Sequence, residues 1–232
     1  MDTTVLISGA NRGIGLEFVR QYAQDGWRVL AGARNPDRAE ALRDLAGQHS
    51  NITVIQLDIT SESDIAALIQ QLDGQAVDCL INNAGVFGTS SAQSLQTVSQ
   101  NDMLSIFNIN TVSTLFLCRS LINNVAKSQD KLISIISSHM GSISNNNRGS
   151  GYAYRASKAA LNAVMKSFAI DVAEQEIKIL MLHPGLVQTD MGGANAPITP
   201  SESVSGMRTL IHSTNQWQSG EFYDYAGNAI PF

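Results

Sequence analysis

A chain of 232 residues with a formal net charge of -5 and its basic residues scattered predicts no basic face for DNA or RNA. The length suits one large α/β domain, and no Pro/Gly/Ser-rich linker divides it, so residues 1–232 are read as a single domain. Its apolar runs are strand-sized, which predicts neither a leader segment nor a membrane span, and Cys79 and Cys118 in apolar runs fit free thiols of a cytoplasmic protein.

The first predicted strand ends in the stretch VLISGANRGIG, Val5 to Gly15. Its β-branched run stops at Ser8, glycines follow at 9, 13 and 15, and an amphipathic segment begins at once with Ile14, Phe18, Val19 and Tyr22. A glycine-rich turn feeding a helix N-terminus presents unpaired N–H groups and the positive end of the helix dipole, a cradle for a pyrophosphate. The spacing G-x-x-x-G-x-G widens the first gap of the usual dinucleotide fingerprint. Strands are then expected at Trp27 to Ala33, Ile52 to Leu57, Val77 to Ile81, Lys131 to Ile136, Ile177 to Leu182 and Glu221 to Tyr225. Helices are expected at Ala39 to Leu45, after a Ser61 cap, from about Ser99, at Tyr152 to Val172 and at Ser201 to Ser213. Such alternation of apolar strands with helices predicts a doubly wound, mostly parallel sheet, with a ligand outside the carboxyl ends of the strands.

At the end of the second strand, where NAD-preferring folds carry an acidic residue, the chain reads Gly32-Ala33-Arg34. A guanidinium pairs bidentately with a 2'-phosphate, and Arg12 stands ready to flank it, which favours NADP(H); the alternative is that both arginines are solvated surface groups. Asp58 is a candidate acceptor for the adenine amino group, or it merely ends a strand. Tyr154 and Lys158 lie four apart on one helix face. The four histidines and two cysteines show no metal-ligand spacing, and no G-x-S-x-G elbow suggests a hydrolase.

The stretches SGANRGIG, NNAG, ISIISSHMGSI, YAYRASKAALN and HPGLVQTDM together resemble the short-chain dehydrogenase/reductase family over essentially the whole chain. GSI after the serines and the ending AGNAIPF make the chain most similar to the C-factor-like and sniffer-like carbonyl reductases. The resemblance implies a seven-stranded Rossmann fold of strand order 3-2-1-4-5-6-7 and a catalytic set of Asn110, Ser138, Tyr154 and Lys158. Tyr154 is then the proton donor to a carbonyl oxygen. Its phenol, with an ordinary pKa of about 10, is made more acidic by the ammonium of Lys158 and by oxidised nicotinamide. Lys158 also holds the nicotinamide ribose, and Ser138 orients the substrate oxygen, with Ser137 as competing candidate. Asn110 holds a water against the lysine, or is simply a helix residue satisfied by backbone.

The cofactor contacts implied are Gly9, Asn11, Arg12, Gly13, Ile14, Arg34, Asp58, Asn83, Ala84, Gly85, Tyr154, Lys158, Pro184, Gly185, Val187 and Thr189; the segment around Pro184 would hold the carboxamide. His183 falls at a family position that is not catalytic. Ser8 replaces the usual threonine, and sixteen residues separate Ser138 from Tyr154, more than is usual, because Asn145 to Gly151 reads as a polar insertion. Substrate would be lined by Val86, Phe87, Met140, Ile143 and a glycine-rich loop at about 191–200, expected to be a mobile flap. The activity implied is NADPH-dependent reduction of a small aldehyde, ketone or quinone. A C-factor-like signalling or redox-sensing role for the bound nucleotide is the alternative. Long helices with apolar residues on several faces, among them Phe116, Leu161, Val164 and Phe168, suggest a homodimer.

Overall fold

The computed structural model describes residues 3–232. Seven strands form its sheet: β1 (Thr4–Ser8), β2 (Arg28–Ala33), β3 (Ile52–Gln56), β4 (Cys79–Asn82), β5 (Leu132–Ile136), β6 (Lys178–His183) and β7 (Glu221–Asp224). Their order is β3-β2-β1-β4-β5-β6-β7 and every neighbouring pair is parallel, so the sheet is wholly rather than mostly parallel. Strands buried on both faces must be apolar throughout, and β1 and β5 have no exposed residue.

Helices cover both faces. Leu68 of α3 (Glu62–Leu72), Leu117 of α5 (Thr114–Ala126) and Leu161 of α6 (Tyr152–Asp171) pack with Leu6, Leu80 and Ile133 on one side. On the other, Phe18 of α1 (Gly13–Gln24), Leu42 of α2 (Glu40–Gln48) and Val204 of α7 (Pro200–His212) pack with Val5, Ile7 and Ile81. Ser61 caps α3 as its sequence implies, its hydroxyl accepting from Asp64 N–H at 3.1 Å.

The long helix expected from Ser99 is broken. It runs as α4 (Gln100–Phe107), a wide π turn over Asn108–Ser113, and then α5. A π turn inserts one residue without changing composition, so periodicity passes over it. The insertion leaves Asn110 fully buried. The whole run Gln100–Ala126 is long and apolar enough to cross a membrane by length and composition, contrary to expectation. Yet its Leu117, Leu121 and Val125 are 0% exposed, which accounts for the apolarity as core packing.

Both thiols are free and buried, and burial pushes Cys79 and Cys118 up from 9.0 to about 12. Each therefore contributes stability that is complete below pH 9.0 and lost as pH climbs through about 12. In urea unfolding, the double variant Cys79→Ala/Cys118→Ala should start less stable at neutral pH and lose less across that window than the wild-type protein; parallel losses would reject the assignment.

Candidate active site

The carboxyl ends of β1 and β4 are bolted together. The hydroxyl of Ser8, fully buried, donates to Asn82 Oδ1 at 2.9 Å and accepts the N–H groups of Asn83 and Ala84, each at 3.1 Å. Asn83 Nδ2 returns bonds to the carbonyls of Ser8 at 3.1 Å and Gly9 at 3.0 Å. Two of the three glycines answer to this packing: a Cβ at Gly9 would stand 2.9 Å from Ala84 Cα, and one at Gly15 would stand 2.1 Å from the Gly9 carbonyl oxygen. Gly13 takes φ +55, open to glycine without strain. The first turn of α1, which includes Ile14, has no side-chain cap and no acidic residue, so its N–H groups, next to the Asn11-Arg12 turn, are free to meet an anion.

Around this cradle the sequence-predicted residues divide. Arg34 is exposed at the end of β2, and its guanidinium makes no hydrogen bond or ion pair among the described residues. Arg12 instead pairs with Asp190 at 2.6 Å, both side chains largely exposed. One oxygen of the half-buried Asp58 accepts from Thr60 N and Oγ1 at 2.9 and 2.7 Å, leaving the other.

Tyr154, Lys158 and Ser138 converge where β5 meets α6, all at most 8% exposed. Lys158 Nζ donates to the Ile136 carbonyl at 2.8 Å and lies 5.9 Å from the centre of the Tyr154 ring. The Ser138 hydroxyl lies near enough to the Tyr154 phenol to favour its ionised form, and it accepts Met140 N–H at 3.1 Å. The rival Ser137 is spoken for: its hydroxyl donates to buried Asn162 Oδ1 at 2.6 Å. Gly85 brings Asn110 to the lysine, since a Cβ there would be 3.3 Å from Asn110 Oδ1 and 3.5 Å from Lys158 Nζ. The Asn110 carboxamide accepts Val86 N–H at 2.8 Å and donates to Val86 O at 2.8 Å and Ser157 Oγ at 3.0 Å. Both its amide hydrogens are thus used within the protein, and its side chain clamps the turn after β4.

The electrostatics differ from the expectation of an acidified phenol. Burial pushes Tyr154 above its usual 10.0, with the nearby Ser138 hydroxyl opposing. Burial also draws Lys158 down to about 8. Desolvation dominates because the ammonium points to the Ile136 carbonyl rather than the phenol.

The segment after β6 closes over the glycine turn. Gly185 sits at φ +85 with Ile198 Cδ1 2.4 Å from where a Cβ would be, and the Pro184 carbonyl accepts Ser203 Oγ at 2.6 Å. Thr189 Cγ2 would be 3.3 Å from a Cβ at Gly13. The loop expected to be a mobile flap is laced down: Val187 bridges to Ile198, Gln188 Nε2 bonds Ala196 O at 2.9 Å, and a Cβ at Gly192 would stand 2.0 Å from Val187 O. Gly192 marks close packing, whereas Gly193, at φ +85 with open space around it, answers to a backbone conformation. Phe87 lies against Tyr154, ring centres 4.9 Å apart, while Ile143 and Met191 stand open to solvent. His183 is half-buried, drawn down to about 4 by burial and then His139, and so neutral at physiological pH. Among the described residues no group of three or more His, Cys, Asp or Glu could hold a metal ion.

Sequence reasoning passed over Gln93 and Ser157, buried residues that bond to Tyr154. Gln93 Oε1 accepts Tyr154 N–H at 3.2 Å, and Ser157 Oγ donates to the Tyr154 carbonyl at 2.8 Å. Ser157, within YAYRASKAALN, carries a positional signal; Gln93 carries none.

A parallel doubly wound sheet with a glycine turn at its reversal of strand order, and a buried Tyr and Lys one turn apart beside it, defines a protein of the dinucleotide-binding class. The model of the short chain dehydrogenases matches residues 3–197, and the chain belongs to that family. The C-signal protein of Myxococcus xanthus is 40% identical over 156 residues, 67% of this chain and 93% of that protein. The 1-hydroxy-2-glutathionyl-2-methyl-3-butene dehydrogenase of Rhodococcus sp. is 33% identical over 235 residues, 98% and 99% of the two chains. Among solved structures, the carbonyl reductase Sniffer of D. melanogaster superposes with a TM-score of 0.90 at 31% identity, and an NADPH-bound carbonyl reductase from chicken fatty liver with 0.89 at 31%; each covers 100% of both chains.

The Ser8 clamp can be tested without any ligand. Ser8→Ala leaves two half-buried N–H groups and the buried Asn82 oxygen without their partner and should cost about 1–3 kcal/mol in urea unfolding; a loss within experimental error would show that the two turns hold their places unaided.

Proposed function

We propose that the protein is an NADP(H)-dependent carbonyl reductase with Tyr154 as proton donor, and the convergence of buried Tyr154, Lys158 and Ser138 at the strand ends carries that reading. The uncapped start of α1 fits a pyrophosphate, and unpartnered Arg34 fits a 2'-phosphate. Solved relatives at about this chain's length bind NADP or NADPH. When bound, the reduced nicotinamide supplies hydride to the carbonyl carbon.

The chain's own groups do the rest. Ser138 donates to the substrate oxygen, where negative charge develops. Tyr154 gives that oxygen its proton, and its raised pKa keeps the phenol loaded until the proton is needed. Lys158, turned from the Ile136 carbonyl toward ribose hydroxyls, would bring its positive charge to stabilise the phenolate left behind. Asn110 and Gly85 hold the wall against which that ammonium rests. Pro184, Gly185, Val187 and Thr189 shape the remaining face, and Phe87, Met140, Ile143 and Met191 give the mouth its apolar character. Asn83, Ala84 and Asp58 complete the cofactor side.

The 40% identity to a C-signal protein favours a second reading, in which nucleotide binding serves signalling or redox sensing and turnover is incidental. One assay separates the two. NADPH absorbance followed over a panel of aldehydes, ketones and quinones should fall with at least one compound, and Tyr154→Phe should cost about 10²-fold or more in kcat; Arg34→Ala should raise KM for NADPH far more than for NADH. NADPH binding with no compound reduced faster than by the Phe variant would leave the signalling reading.

We take residues 3–232, built on one sheet, as one domain, and place the protein in the cytoplasm on its two free buried thiols. A homodimer is proposed on narrower ground than the sequence suggested. Leu161 and Phe168 belong to the core and Val164 packs against it, whereas Leu104, Val112 and Phe116 are 60%, 46% and 43% exposed on α4, the π turn and α5. Light scattering at micromolar concentration should give twice the 24.9 kDa chain mass; a monomer rejects this face as an interface.

A further inference from the structure

The first turn of a helix leaves its N–H groups without intrahelical partners. In α6 the cap position is Gly151, at φ 69, and it offers no side-chain cap. Tyr154 is the third residue of that helix, so its own N–H is one of the orphans. The acceptor comes from a distant part of the chain: Gln93, closing a short 3-10 turn (Ser91–Gln93) between β4 and α4 and only 7% exposed, presents Oε1 to Tyr154 N at 3.2 Å.

Gln93 holds three further points. Its Nε2 donates to the Phe87 carbonyl at 2.6 Å, and its main-chain carbonyl accepts Gly151 N and Ser150 Oγ, both at 2.8 Å. Phe87 is the residue whose ring packs on the Tyr154 ring, centres 4.9 Å apart. One side chain thereby fixes the backbone from which Tyr154 projects and the backbone from which its packing partner projects. The task needs a donor and an acceptor on one planar group, which a carboxamide supplies. A glutamate would keep the acceptor, lose the donor and set a negative charge beside a phenol that must ionise.

We propose that Gln93 is a positioning residue for Tyr154, capping α6 from the loop after β4 and holding Phe87 against the tyrosine ring. This rests on Tyr154 being the proton donor.

The test compares Gln93→Met and Gln93→Glu with the wild-type protein by native-state amide exchange, steady-state kinetics over pH, and NADPH binding. Gln93→Met should speed exchange at Tyr154 N–H about tenfold while the rest of α6 keeps its protection, and should lower kcat between about tenfold and 10²-fold with NADPH affinity within about twofold of wild type. Gln93→Glu should restore Tyr154 N–H protection and move the pH limb set by the phenol upward. The proposal is overturned if exchange at Tyr154 is unchanged in Gln93→Met, or if it quickens while kcat and the pH profile stay as they were. It is equally overturned if kcat, cofactor affinity and unfolding midpoint fall together. Should the wild-type protein reduce no carbonyl, the reductase reading fails by itself. The ultraviolet titration of Tyr154, taken as the difference from Tyr154→Phe, then replaces kcat, and an unchanged midpoint in both Gln93 variants overturns the positioning role.

Discussion

Everything at the ligand-facing edge of this sheet depends on a single buried hydroxyl. Parallel strands that end side by side leave backbone donors and acceptors with no neighbour to pair with, and in a buried place each orphan costs about 1–3 kcal/mol. Ser8 Oγ takes two such N–H groups and gives its own proton to Asn82. The turn after β4 is thereby held against the turn after β1. From that contact the geometry propagates: Gly85 follows at once, Asn110 clamps Val86, and Lys158 meets both beside Gly85. A longer side chain at position 8 would fill the space where three groups now meet.

Burial also sets the electrostatic character of the site. A phenol and an ammonium are both held away from water, and desolvation disfavours the charged form of each, so the tyrosine rises while the lysine falls to about 8. Such a pair is costly in the folded protein taken alone. In the reductase proposed above, negative charge appearing on the phenol and positive charge on the lysine would relieve each other as the proton leaves Tyr154. The nearby Ser138 hydroxyl, which draws the phenol down against burial, is the opposing influence the polypeptide itself carries.

What the sequence revealed is what local chemistry decides. The central strands were legible because a strand buried on both faces is apolar throughout, the glycine turn because its spacing places it, and the Tyr154/Lys158 pair because spacing puts both on one helix face and the family resemblance gave that face its meaning. Long-range consequences were hidden. A π turn at Asn108–Ser113 is one inserted residue in a helical pattern. Leu161 and Phe168 look alike as surface or core until α6 is laid on the sheet. The glycines of the 191–200 loop suggested freedom, yet Gly192 is small because Val187 O occupies the space of its side chain. Gln93 is an ordinary polar residue of a loop until its partner, 61 positions away, is folded onto it.

The Arg12–Asp190 pair shows how a contact of this kind still leaves room for a ligand. Both side chains are about 70% exposed, and exposed ion pairs contribute only about 0.2–1 kcal/mol because water screens them and holding two long side chains costs entropy. Charge-assisted hydrogen bonds to a phosphate contribute about 1.5–3 kcal/mol each, and a guanidinium can make two in parallel. The pair is therefore weak enough for Arg12 to leave it, while Asp190 stays on a segment laced by Val187, Gln188 and Ile198. The loop does not need the ion pair to keep its place, and the arginine is free to leave it.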